Sequence, residues 1–341
     1  MSSIGPASSQ LPRAPGSFAQ RWMPSRQKLP LLITLAVFVA MYLAASLRYD
    51  NFFTPQVALN LVGDNAFLGI AAIGMTFVIL SGGIDLSVGA AIGCCTIFIA
   101  NMVEVHGWHP AAAIAVVLAG GTSIGLLQGV LIALFDLQPF LVTLGGLFLY
   151  KGLGLLISTE SISLTHPAYV WLSGFTVHLH DGADVPLWTL LFLGLLLIST
   201  YIAAWRPVGR AVYAVGGSEQ SALLMGLPVM RVKIGVYGFS GFCAALAGVT
   251  ATIYMSSGAA VTGGGLELDA IAAVVIGGTL LSGGVGSPIG TLFGVLIFGI
   301  IQTAITFEGT LSSWWARIVL GLLLLAFIVL QTLLQPRENH T

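Results

Sequence analysis

Five ionisable side chains stand in stretches that are otherwise apolar: Asp64, Asp85, Lys151, Glu267 and Asp269. A charge in such surroundings is costly, so each implies a partner, a cap or a solute path. Neutral hydrogen-bonding groups accompany them at Asn60, Asn65, Gln128, Gln138, Thr143 and Gln302. Carboxylates accept, while amides and hydroxyls both donate and accept, so this set suits a solute rich in hydroxyl groups. The residues expected to line a path are Asn60, Asp64, Asn65, Asp85, Gln128, Thr143, Asp269 and Gln302. Plainer readings stand beside this one. Asp85, before Leu86-Ser87, also fits a helix N-cap. Asp64 and Asp269 fit solvated caps or interfacial residues, and Lys151 fits a carboxylate partner or a lipid headgroup. Gln138 precedes Pro139 and fits a turn into the next helix.

Signals for catalysis are weak. No Gly-x-x-x-x-Gly-Lys-[Ser/Thr] loop occurs, so the chain has no phosphate cradle of its own. No His-Glu-x-x-His occurs. Gly121-Thr122-Ser123-Ile124-Gly125 has the form of a nucleophile elbow, but it lies in an apolar run with no preceding strand, where small residues serve close helix packing. The histidines (His106, His109, His166, His178, His180, His340) show no ligand or catalytic spacing. Cys94, Cys95 and Cys243 read as small buried hydrophobes. No metal and no cofactor is expected on this chain.

The elements that must position these groups follow from composition. Of 341 residues 57% are apolar and 7% are charged, where a soluble domain carries about 25% charged residues. Lipid must therefore be the solvent. Within lipid every backbone polar group needs an internal partner, and apolar runs of about 20 residues select helices over barrels. A net charge of −1 argues against nucleic acid as a partner. The expected fold is an all-α polytopic membrane protein of about ten transmembrane helices, near 29–47, 57–80, 84–103, 110–135, 140–158, 186–204, 233–253, 266–281, 289–306 and 314–334. Residues 1–28, rich in Ser, Pro and Arg, read as a disordered tail, 29–334 as the membrane domain and 335–341 as a second tail. Nine of the twelve Lys and Arg residues fall in the two tails and around 205–232, which puts those segments and both termini in the cytoplasm.

Two stretches match at a constant offset of 201. Ile70-Ala71-Ala72-Ile73 corresponds to Ile271-Ala272-Ala273-Val274, and Leu80-Ser81-Gly82-Gly83-Ile84 to Leu281-Ser282-Gly283-Gly284-Val285. An internal repeat is expected, running in the same direction in both copies. Gly82, Gly83, Gly283 and Gly284 then mark either breaks within spans, which in transporters point to the solute path, or tight turns between helices.

The loop 205–232 is the one long cytoplasmic segment. Ser218 followed by Glu219 to Met225 and closed by Gly226 reads as a short capped helix. It is too short to be stable alone, so Ala222, Leu223, Leu224 and Met225 need a partner surface. That surface is either the chain's own helices or a cleft in a separate ATPase.

Gly74 to Gly89, with its Leu80-Ser81-Gly82-Gly83-Ile84-Asp85-Leu86-Ser87 centre, resembles the signature of ribose-type ABC sugar importer permeases. So do Gln138-Pro139-Phe140-Leu141-Val142-Thr143-Leu144-Gly145 and Glu267 to Gly278. The loop resembles the family's coupling loop at Ala214, Gly216, Ala222 and Gly226, with Ser218 where many relatives have Asn. Within the family, Asp64 to Gly69 and Gly309 to Trp315 are most similar to permeases of galactofuranose importers. The resemblance implies a multi-pass subunit of the bacterial inner membrane with no ATPase site of its own. It implies a cytoplasmic ABC ATPase holding ATP and Mg, a periplasmic sugar-binding protein and a second permease, a different chain in the galactofuranose case. Glu219, Ala222, Leu223, Leu224, Met225 and Gly226 would couple to the ATPase. The rival reading is an ion-coupled secondary transporter of a small polar solute, with Asp85 or Asp269 carrying the ion. Uptake that survives collapse of the ion gradient and stops on ATP depletion separates the two.

Overall fold

The computed structural model describes residues 29–50, 52–178, 184–309 and 314–334. The expected tails 1–28 and 335–341 lie outside them. The helices, in order, are α1 (Leu29–Arg48), α2 (Pro55–Asp64), α3 (Ala66–Leu80), α4 (Val88–Ala100), α5 (Pro110–Leu134), α6 (Pro139–Ile157), α7 (Pro167–Gly174), α8 (Leu187–Trp205), α9 (Pro207–Gly217), α10 (Glu219–Leu224), α11 (Val229–Met255), α12 (Leu266–Ile276), α13 (Pro288–Glu308) and α14 (Trp314–Leu334). A π-helical turn, Asn101–Val105, extends α4. Two small antiparallel pairings complete the described chain: β1 (Ile162–Ser163) with β4 (Ser257–Gly258), and β2 (Thr176–His178) with β3 (Asp184–Pro186).

Helix α3 is apolar on every side and buries all of its residues except Phe67, as expected of a core helix. Around it pack α8, α9, α11, α12 and α13. Leu43 of α1, Leu127 of α5, Leu156 of α6 and Leu322 of α14 point outward, so apolar surface faces the solvent of this fold, which is lipid. The Gly121, Gly125 and Gly129 stripe of α5 lies against the backbone of α11 at Gly241, Tyr237 and Ile234. The Gly-x-Ser-x-Gly string is thus a helix-packing stripe.

Among the described residues, seven helices are long and apolar enough to cross a membrane, or eight if α2 and α3 form one span bent by 57°. Two of the ten expected spans differ in form from a single long helix. The span expected at 57–80 is broken at Asn65, whose side-chain amide donates to the Leu61 carbonyl (2.9 Å) and lies against Gly299 of α13. The span expected at 266–281 is an 11-residue helix, α12, about 16 Å long, or roughly half of the hydrocarbon thickness. The loop expected at 205–232 holds a second helix, α9, that begins on Pro207 at its first turn.

The repeat is visible in the backbone. Each copy carries a left-handed glycine in its break: Gly82, two residues past the end of α3, has φ +85°, and Gly283, seven residues past the end of α12, has φ +86°. Only glycine adopts that region without steric cost. The helices that follow, α4 and α13, restart at Val88 and Pro288. Thr76 and Thr291 join the two copies through a 2.7 Å hydroxyl contact, and the Gly284 amide donates to the Leu80 carbonyl across them (3.0 Å).

Candidate functional site

The first glycine break carries Asp85, which is 1% exposed. Its Oδ1 accepts from the Ser87 amide (2.9 Å) and the Ser87 hydroxyl (2.6 Å), and its Oδ2 accepts from the Ser240 hydroxyl (2.7 Å). The bond to the amide two residues on is the local turn an Asp favours. The cap position of α4 itself belongs to Ser87. Ser240 lies 11 residues into α11, about 16 Å along it, so Asp85 sits deep in the membrane layer. Three donors on one buried carboxylate satisfy the charge without a basic partner.

Gln128 and Thr143 join this cluster from neighbouring helices. The Gln128 Oε1 lies 3.4 Å from the Ser87 hydroxyl, while its Nε2 is buried without a hydrogen-bond partner and rests against Gly146. Thr143 donates chiefly to the Pro139 carbonyl of its own helix (2.9 Å), with the Ile84 carbonyl at 3.4 Å. Sequence reasoning missed Ser87, Ser240 and Tyr237, whose hydroxyl donates to Ile84 (3.4 Å). Ser240 and Tyr237 are three apart on one helix, a helical-face spacing that was there to be read.

The remaining path candidates are not brought to this cluster. Asn60 pairs with Gln56 (2.7 Å) and is exposed. Asp64 is exposed and accepts from the Tyr254 hydroxyl at 3.4 Å. Asn65 is buried in the bend, and Gln302 is exposed on α13. Asp269 is half-buried, and the charges acting on it are Arg317 and Glu267. At the offset of 201 the counterpart of Asp269 is Leu68, a core residue, and that of Asp64 is Gly265, just before α12. Asp64 and Asp269 therefore occupy elements that are not equivalent. Among the described residues, no group of three His, Cys, Asp or Glu side chains could hold a metal ion.

Three glycine segments meet at one junction. A Cβ on Gly216, in the last turn of α9, would strike the Leu80 carbonyl and come within 2.7 Å of the Gly284 amide. One on Gly283 would lie 2.8 Å from the Gly216 carbonyl and 3.0 Å from the Gly82 amide. The ends of α3 and α9 and the loop that follows α12 thus touch backbone to backbone, which only missing side chains permit.

One residue beyond this junction, Ser218 caps α10 by accepting from the Ser221 amide (3.3 Å). Glu219 pairs with Lys233 of α11 (2.6 Å) and Ala222 is fully buried, so α10 is anchored on its inner side. Gly226, at φ +76°, ends the segment. Leu223, Leu224 and Met225 are 56%, 90% and 66% exposed, so the chain's own helices do not cover them. A polar cavity of about 420 Å³ opens between α10 and the first break, lined by Gly82, Gly83, Asp136, Gln138, Glu219 and Lys233 among others.

Residues 57–328 match the family described as "Branched-chain amino acid transport system / permease component". The chain is 47% identical over 306 residues to the inner membrane ABC transporter permease protein YjfF of Escherichia coli (strain K12), covering 90% of this chain and 92% of that one. It is 34% identical to the fructose import permease protein FruG of Bifidobacterium longum, over 90% of this chain and 91% of that one. It is 36% identical to the ribose import permease protein RbsC of Bacillus subtilis, over 89% of this chain and 92% of that one. No solved structure matches the chain.

Proposed function

Because the chain belongs to this permease-component family, we propose that it is the membrane-spanning subunit of an ATP-driven importer for a monosaccharide. The observation that carries the reading is the uncovered Leu223-Leu224-Met225 edge, held on a capped helix one residue past the glycine junction. An apolar edge anchored on one side and bare on the other fits a cleft in a cytoplasmic ABC ATPase that binds ATP and Mg. Motion of α10 on ATP binding would pass through Gly216 and Gly217 to the end of α3 and the loop after α12 and so switch access to the path. The reading places the protein in a bacterial inner membrane with both termini in the cytoplasm.

The family description speaks of branched-chain amino acids, whereas relatives matched over nine-tenths of the chain are named for ribose and fructose. Those full-length likenesses favour a sugar. The Asp64 to Gly69 and Gly309 to Trp315 stretches favour galactofuranose, delivered by a periplasmic binding protein to a pore shared with a second, different permease. The ion-coupled alternative loses support at Asp85, whose two oxygens are already occupied by three donors. Copurification from native membranes, with mass spectrometry of the bound chains, tests the partners. Uptake by the reconstituted complex that needs ATP and persists after an ionophore collapses the gradients supports the reading. Uptake that follows the gradient without ATP refutes it.

A further inference from the structure

Outside the Asp85 cluster, two opposite charges face one small cleft. Lys151 of α6 and Glu267 of α12 line a cavity of about 200 Å³ together with Ala90, Leu147, Leu155 and Val261. The cavity is created by the chain that leaves α11. Ser256 turns it with a left-handed φ of 51°, and residues 258–263 then run against α4 with glycine at the contacts. The Ala259 carbonyl accepts from Thr96 (2.9 Å), and the backbone at Gly263 lies against Gly89. This segment delivers Glu267 beside α4. A Cβ on Gly89 would collide with the Glu267 carboxylate, so glycine there makes room for that group.

Among the described residues neither charge has a hydrogen-bonding or ion-pair partner. The described ion pairs and side-chain hydrogen bonds include neither Lys151 nor Glu267, and the two ends stay more than 4 Å apart across the cleft. Lys151, an exposed residue, is the thirteenth of the 19 residues of the span α6, and Glu267, in the first turn of α12, lies beside Gly89 of α4. Unpaired charges there mark solute paths. A cation in the cleft would pair with Glu267 and be repelled by Lys151, and an anion the reverse. A neutral polyol satisfies both, since its hydroxyls donate to the carboxylate and accept from the ammonium. The apolar walls suit the C–H face of a sugar ring. We infer that the cleft between Lys151 and Glu267 is a sugar-binding subsite of the translocation path within this chain. The inference rests on the importer reading and locates its solute.

The test uses the whole importer, with its ATPase and binding protein, in liposomes. Uptake of galactofuranose, ribose, fructose and leucine is measured for wild type, Lys151→Gln, Glu267→Gln and the double variant, with membrane abundance matched. Each single variant should lose at least about tenfold in uptake of the transported sugar, the loss of one charged hydrogen bond, and the double should do no better than the singles. In a chain with Cys94, Cys95 and Cys243 replaced by Ala, Val261→Cys should react with a membrane-impermeant thiol reagent, more slowly when the sugar is saturating. Single variants at wild-type rates, a double variant restored to them, or a Val261→Cys that never reacts would each overturn the subsite while leaving the importer reading intact. Leucine uptake and leucine protection in place of sugar would identify a zwitterion site and overturn the assignment. Wild type that moves no sugar at all would overturn the importer reading and the subsite together.

Discussion

Replacing Leu224 by alanine removes a side chain that touches almost nothing in the folded chain. It is 90% exposed, so the change should leave membrane abundance unaltered. If α10 docks in an ATPase, nearly the whole side chain is available for burial, at about 2 kcal/mol. Leu223 and Met225, a little over half exposed, add roughly 1 kcal/mol each on the same scale. The three together contribute about 4 kcal/mol, or nearly three decades of docking affinity at 1.4 kcal/mol per decade. Leu224→Ala should therefore weaken copurification of the ATPase and coupled uptake by roughly 10- to 30-fold. The triple alanine variant should lose about 1,000-fold in affinity by the same conversion. Leu224→Met conserves volume and should stay within about threefold of wild type. The assay is titration of the purified permease complex with its ATPase, read beside ATP-dependent uptake in liposomes. A triple variant that binds the ATPase and transports at wild-type levels would refute the docking argument.

Gly216→Ala puts a methyl group into the Leu80 carbonyl and against Gly284, both backbone, whereas a Cβ on Gly217 meets nothing within 4 Å. Uptake should fall by more than tenfold in the first and be kept in the second, at equal abundance. Gly82 and Gly283 share a left-handed φ, but a Cβ on Gly82 would meet only the Gly216 Cα at 4.0 Å, whereas one on Gly283 faces backbone at 2.8 to 3.1 Å. Asn tolerates that conformation, so Gly82→Asn should retain uptake that Gly283→Asn loses. Asp85→Ala leaves the Ser87 and Ser240 hydroxyls without their acceptor, at a cost of about 1–3 kcal/mol. Its unfolding temperature in detergent should fall, and Asp85→Asn should recover part of the loss.

How far the site was legible depended on sequence distance. Asp85 could be read because its charge and the glycines beside it lie within a few residues, and its bond to the Ser87 amide is local. Its third donor, Ser240, is 155 residues away, and nothing in the local pattern joins the two. Asp64 and Asp269 lie 205 apart against the repeat offset of 201, and such a helical turn of slippage preserves a face only on a continuous helix. The bend at Asn65 ends that continuity, and Gly299, against which Asn65 packs, comes from another span.

What the sequence determined by itself was every property that a short window or a composition carries. Too few charges to cover a soluble surface made lipid the solvent, and lipid made the helices obligatory. Glycine pairs at one offset of 201 marked two breaks, because glycine takes φ near +85° with no Cβ to clash. The Ser218 cap and the Gly226 stop bounded α10. Only the tertiary structure decided which neighbours these features meet. It made α12 a half-length helix by laying residues 258–263 along α4, brought Gly216 against both breaks, and left Leu224 bare while burying Ala222 two residues earlier. Close approach, burial and the pairing of charges such as Glu219 and Lys233 depend on groups that only the fold brings together. Apolar spans of similar composition can be packed in many orders, so only the assembled fold selects those contacts.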